Sequence, residues 1–141
     1  MCIRDSVEGG LKRLEIIRSE EGDRLRKKLF EITHALQDGF RKLGFEIGPA
    51  EACVTPVQIK GGVGQASQIA VDLRENYGIF CSIVTYPVIP KGMIIFRIIS
   101  TAAHSMEDVE YTLKAFTEVR EKLNAGVYDA QDGDIVDMAI K

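Results

Sequence analysis

The chain has no tryptophan, only four prolines and three cysteines in 141 residues, and its apolar runs are short. None approaches the roughly twenty residues that a membrane-crossing helix requires. Cys2, Cys53 and Cys81 are odd in number and far apart, without Cys-x-x-Cys spacing, which excludes a disulfide framework and a zinc knuckle. They read as small buried thiols in a reducing compartment, and with no secretion signal at the start the expected location is the cytoplasm. An excess of basic charge is missing too: 18 Lys and Arg stand against 21 Asp and Glu, a net charge of -3. Acids and bases are interspersed, and without a basic stripe or interleaved aromatics nucleic acid is excluded as the main partner. What is present, 45% hydrophobic and 28% charged residues, suffices for one compact domain.

Met1–Ser6 (MCIRDS) fits no periodicity and is expected to be a non-native leader, leaving Val7 onward as the tail of something longer. Leu11, Leu14 and Ile17 trace a helical stripe that breaks at Ser19, where Glu20, Glu21 and Asp23 suit the first turn of a second helix. That helix carries Leu25, Leu29, Ile32, Leu36, Phe40 and Leu43 as its core face and closes at Gly44. Val54–Lys60 reads as a strand, and Pro56 early in it favours an edge position or the strand's first residues. Gly61-Gly62-Val63-Gly64 turns into a third helix that stops at Gly78, and Ile79–Thr85 and Met93–Ile99 read as further strands. Their proline-bearing link, Tyr86 to Gly92, is short enough for an antiparallel hairpin. Ser105 with Asp108 forms a capping box for a last helix that ends at Asn124-Ala125-Gly126, and 127–141 is expected to be an extended or disordered acidic tail. The predicted fold is α+β: a small antiparallel sheet in order 1-3-2 with helices on one face and the other face open or covered by something else.

The most informative single residue is Arg97, centred in the apolar run Met93–Ile99. A guanidinium cannot shed its charge, so among isoleucines it needs an anion or a route to water. Its stem can pack while its head reaches solvent or a carboxylate of the same domain; alternatively its planar fork grips a substrate carboxylate with two parallel hydrogen bonds. Periodicity leaves both open. The glycine-rich turn lacks the third glycine of a dinucleotide fingerprint and the lysine and serine of a P-loop, so it reads as a tight strand-to-helix turn. His34 reads as a solvated helix residue, and His104 as a helix-start histidine without a nucleophile beside it.

From Gly78 to Val119, the pattern of Pro87, Pro90-Lys91-Gly92, Arg97 and Thr101-Ala102-Ala103-His104-Ser105 ahead of an acidic helix resembles the C-terminal domain of the α-oxoamine synthases. These are pyridoxal-phosphate enzymes of the aspartate-aminotransferase fold and include serine palmitoyltransferase, glycine C-acetyltransferase and 8-amino-7-oxononanoate synthase. Weaker similarity at Leu43-Gly44-Phe45 and Thr55-Pro56-Val57 extends the resemblance over most of Val7 to Leu123. It implies a decarboxylative condensation of an acyl-CoA with a small amino acid, in a homodimer. It puts Arg97 on the arginine that holds the amino acid's carboxylate, and Tyr86, Pro87 and Pro90 on a loop at the active-site mouth.

Thr85 stands where some serine palmitoyltransferases have a second arginine, and Ser105 where the family has threonine. The cofactor-binding lysine, aspartate and histidine of the family belong to an upstream large domain. The resemblance therefore implies no catalytic, cofactor-binding or metal-binding residue in this chain, with pyridoxal phosphate held by that missing domain and the chain alone inactive. Two rivals stand beside it: the C-terminal domain of a class I/II aminotransferase, and a self-standing regulatory module that senses an amino acid through Arg97.

Overall fold

A computed structural model describes residues 3–129, so all but the first three residues of the expected acidic tail, 127–141, lie outside the described residues. Along them run α1 (Ile3–Ile17), α2 (Glu20–Lys42), β1 (Val54–Lys60), α3 (Val63–Tyr77), β2 (Ser82–Val84), β3 (Met93–Ile99) and α4 (Met106–Asn124). Helix α1 begins eight residues before Leu11, taking Ile3–Ser6 into its first turn. Nothing in that hexapeptide breaks a helix, and Asp5 suits the positive end of the dipole. Ser19 caps α2 by accepting from the Gly22 amide at 3.4 Å. Only the later part of the α2 stripe is core: Ile32, Leu36 and Phe40 are buried, whereas Leu25 is 39% exposed. The reason is length, since 23 helical residues span roughly 35 Å and a seven-residue strand roughly 23 Å, so the start of α2 overhangs the sheet.

β3 lies between the other two strands, antiparallel to both, giving the order β1-β3-β2. The register pairs Val57 with Phe96 and Phe96 with Ile83, which sets one face of the sheet. That face meets the helices: Val57, Ile94 and Phe96 are fully buried with Ile69 and Leu73 of α3 and Phe116 and Val119 of α4. Phe116 takes Phe40, Phe45 and Phe96 edge-on at centroid distances of 5.1, 6.1 and 6.3 Å. Edge-to-face pairs of this kind add about 1 kcal/mol each beyond the area they bury. The layer architecture is the α+β arrangement expected, with helices on one face only.

β2 is shorter than Ile79–Thr85. Gly78 adopts a left-handed conformation (φ 65°), and the Ile79 amide turns back to the Leu73 carbonyl at 2.9 Å. Ile79 thus closes α3 instead of opening a strand. At α4 the capping box forms as read: the Asp108 amide donates to Ser105 Oγ at 3.2 Å and the Ser105 amide to Asp108 Oδ2 at 2.8 Å. Beyond Gly126 the chain does not simply leave, because Tyr128 is 5% exposed and its hydroxyl donates to Asp72 of α3.

Candidate functional site

Alternation along β3 puts Ile94, Phe96 and Ile98 into the core and Met93, Ile95, Arg97 and Ile99 on the face without helices. Arg97 is exposed there, flanked across the sheet by Pro56 of β1 and Ser82 of β2. Its row is therefore less apolar than its own strand suggests. Among the described residues Arg97 makes no hydrogen bond and no ion pair. Arg120 shows the contrast. Its guanidinium carbon lies 3.5 Å from the Phe45 ring centroid and it donates to the Leu43 carbonyl at the end of α2, while burial lowers its pKa. Arg120 is a packing arginine; Arg97 is unengaged.

The link from β2 to β3 rises close to Arg97: its base, the Val84–Ile95 pair, is two residues, roughly 7 Å, along β3. Tyr86, Pro87 and Pro90 are exposed on it, the Tyr86–Pro87 peptide bond is cis, and the Lys91 ammonium lies 5.0 Å from the Tyr86 ring centroid. Val88 on the loop is 78% exposed and Phe80, just before β2, 82% exposed. The loop leaves the sheet at the Met93 end of β3, whereas Arg97 lies on the Ile99 side of that base, opposite Ser82 at the far end of β2.

The other candidates resolve into structure. At the glycine-rich turn the Gly62 amide donates to Gln65 Oε1 at 2.9 Å, and Gln65 Nε2 donates to Asp129 at 2.6 Å. A helix start whose amide is already taken, with a carboxylate beside it, is no seat for phosphate. His104 Nδ1 accepts from the Thr101 amide at 3.1 Å and holds the turn into α4. His34 is exposed, next to Phe30. Burial pushes the Cys81 thiol up to about 11, which keeps it protonated and disfavours it as a nucleophile at neutral pH. No cluster of metal-ligating side chains occurs among the described residues.

The described residues do not fit pyridoxal phosphate. A cofactor lysine needs an enclosed pocket with an anion seat beside it, yet every described lysine is exposed except Lys122, which donates to Asp72 at 2.7 Å. What the geometry offers is an open sheet face carrying a guanidinium without a hydrogen-bond or ion-pair partner among the described residues, and a projecting loop beyond the Met93 end of β3. No described helix is long and apolar enough to cross a membrane.

This layout is that of the smaller layer domain in transferases of the aminotransferase fold, and the comparisons agree. Residues 7–116 match the family "Aminotransferase class I and II", to which the chain belongs. Within it, the relatives are of the α-oxoamine synthase type. Cysteate-C-fatty acyltransferase of Capnocytophaga ochracea is 51% identical over 129 residues, 92% of this chain and 30% of the relative. The 8-amino-7-oxononanoate synthase of Thermoanaerobacter pseudethanolicus is 34% identical over 119 residues, 84% of this chain and 29% of that protein. Among solved structures, serine palmitoyltransferase of Sphingomonas wittichii superposes with a TM-score of 0.64 at 27% identity, over 77% of this chain and 26% of the other. The chain thus spans about 30% of the length of the curated relatives it matches.

Sequence reasoning missed Ser82. A serine in a short strand carries no periodic or motif signal, and its place opposite Arg97 emerges only from the strand register.

Proposed function

We propose that this chain is the substrate-gripping part of a cytoplasmic, homodimeric pyridoxal-phosphate-dependent acyltransferase, which condenses a fatty acyl-CoA with a small amino acid and releases carbon dioxide and coenzyme A. Cysteate is the amino acid favoured, on the name of the 51% identical relative. The cofactor belongs to an upstream large domain; a serine palmitoyltransferase of this fold has been solved holding pyridoxal phosphate.

The observation that carries the reading is Arg97, a permanent cation on an open sheet face with no anionic partner among the described residues. A planar fork on a rigid strand orients a carboxylate in two dimensions, which fixes which bond at the neighbouring carbon can break. In this reading Tyr86, Pro87 and Pro90, exposed on the loop between β2 and β3, contact the substrate from the mouth of the site.

The test is to extend the reading frame upstream of Val7, purify the encoded protein with pyridoxal phosphate, and measure thiol release from a long-chain acyl-CoA. Release that depends on an added amino acid, highest with cysteate and lower with serine or glycine, is expected. An upstream frame without a lysine-bearing cofactor domain, or thiol release indifferent to the amino acid, overturns the proposal.

A further inference from the structure

The open face carries a second polar group that nothing above uses. Ser82 is the cross-strand partner of Arg97 in the β2–β3 register, so both side chains stand on the face away from the helices. The Ser82 hydroxyl oxygen is buried and has no hydrogen-bond partner among the described residues. Such a group is uncommon in a folded protein, because a buried hydroxyl without a partner loses what water would have provided. Each neighbour can give what the other has use for: an exposed guanidinium with N–H groups not committed to any acceptor among the described residues, and a buried hydroxyl oxygen without a donor there. The strand partner on the other side, Pro56, contributes an apolar ring and cannot serve.

Resting on the reading of Arg97 as the carboxylate fork, we infer that Ser82 is the positioning residue for that fork. When the substrate's anionic group draws the guanidinium down onto the sheet, one N–H of Arg97 donates to Ser82 Oγ, and the remaining N–H groups face the carboxylate in parallel. The hydroxyl then sets the plane of the fork, and a small side chain is required because the guanidinium lies over it. This accounts for a polar residue in a three-residue strand whose other members, Ile83 and Val84, are apolar. Ser82 touches neither cofactor nor reacting atoms; it acts through Arg97.

The experiment uses the full enzyme defined in the preceding section and four variants: Ser82→Ala, Ser82→Thr, Arg97→Ala and the double Ser82→Ala/Arg97→Ala. Loss of one hydrogen bond to a charged group corresponds to about a tenfold change. Ser82→Ala is expected to raise the KM for the amino acid about tenfold, with kcat and the KM for acyl-CoA within about twofold. Ser82→Thr, which keeps the hydroxyl, restores the amino-acid KM, a rescue that a packing role would not produce. The double variant is no worse than Arg97→Ala alone, since a residue acting through Arg97 has nothing left to position. If Ser82→Ala leaves the KM unchanged, or its effect adds in full to that of Arg97→Ala, the inference is overturned while the fork reading stands. An unchanged KM in Arg97→Ala overturns both. Thermal melting of each variant identifies any that fails to fold, and in that case Ser82→Cys, of similar size with a weaker acceptor, replaces Ser82→Ala under the same expectation.

Discussion

A guanidinium keeps its charge at any pH at which proteins stay folded, so the difference between Arg97 and Arg120 lies in what each one touches. Arg120 has a ring to stack on and a carbonyl to bind, whereas Arg97 has neither. That distinction was not legible beforehand. The apolar run around Arg97 was visible in the sequence, as was its face of the strand, but whether a carboxylate of the same domain would reach it depends on the packing of distant elements. Thr55 poses the same question in the core: it is fully buried opposite Ile98, and its hydroxyl has no partner. Replacing it by an isosteric apolar side chain removes a desolvated polar group without leaving a cavity. Thr55→Val is therefore expected to raise the melting temperature by about 3–5 °C, corresponding to about 1 kcal/mol; a lower melting temperature would show that the hydroxyl is satisfied in solution.

Among the elements, β1, β3 and the start of α4 were readable to the residue, because alternation, a proline at an edge position and a capping box are local signals. The misreadings fall where tertiary contacts decide. Ile79 was taken by the closing turn of α3, and Tyr128, in a stretch with no periodicity, was recruited by Asp72. Asp72 accepts from Lys122, Tyr128 and Asn76, and so ties α3, α4 and the segment after α4 together. Burial raises the pKa of Asp72, but the hydrogen bonds from Lys122, Tyr128 and Asn76 outweigh it and leave the carboxyl below its usual value. A folded-state pKa below the unfolded one gives stability that is full above the unfolded value, near 4, and is lost as pH falls through the folded one. Asp72→Asn should thus lower the melting temperature at pH 7 and flatten the acid limb of the pH–stability curve below about pH 4. An unaltered acid limb would mean that the clasp contributes nothing.

At the scale of the whole molecule, apolar side chains remain uncovered on α1 and on the open sheet face, among other places. On α1 the side chains of Leu11, Leu14 and Ile17 are 56%, 49% and 53% exposed, and on the open sheet face Ile99 is 49% and Met93 36% exposed. Apolar side chains exposed in this number are what contact with another protein part would cover. The chain by itself should therefore bind an apolar dye and self-associate with rising concentration, and Ile99→Lys should reduce both; a monomer without dye binding at all concentrations would argue for the self-standing module instead. The central claim remains that the arginine on this face holds the substrate's acid group, and calorimetric titration of the full enzyme with the amino acid tests it most directly. Arg97→Ala is expected to weaken binding at least tenfold, in line with loss of a charge-assisted pair of hydrogen bonds, with the acyl-CoA affinity unchanged. Equal amino-acid affinity in the wild-type protein and the variant would contradict it.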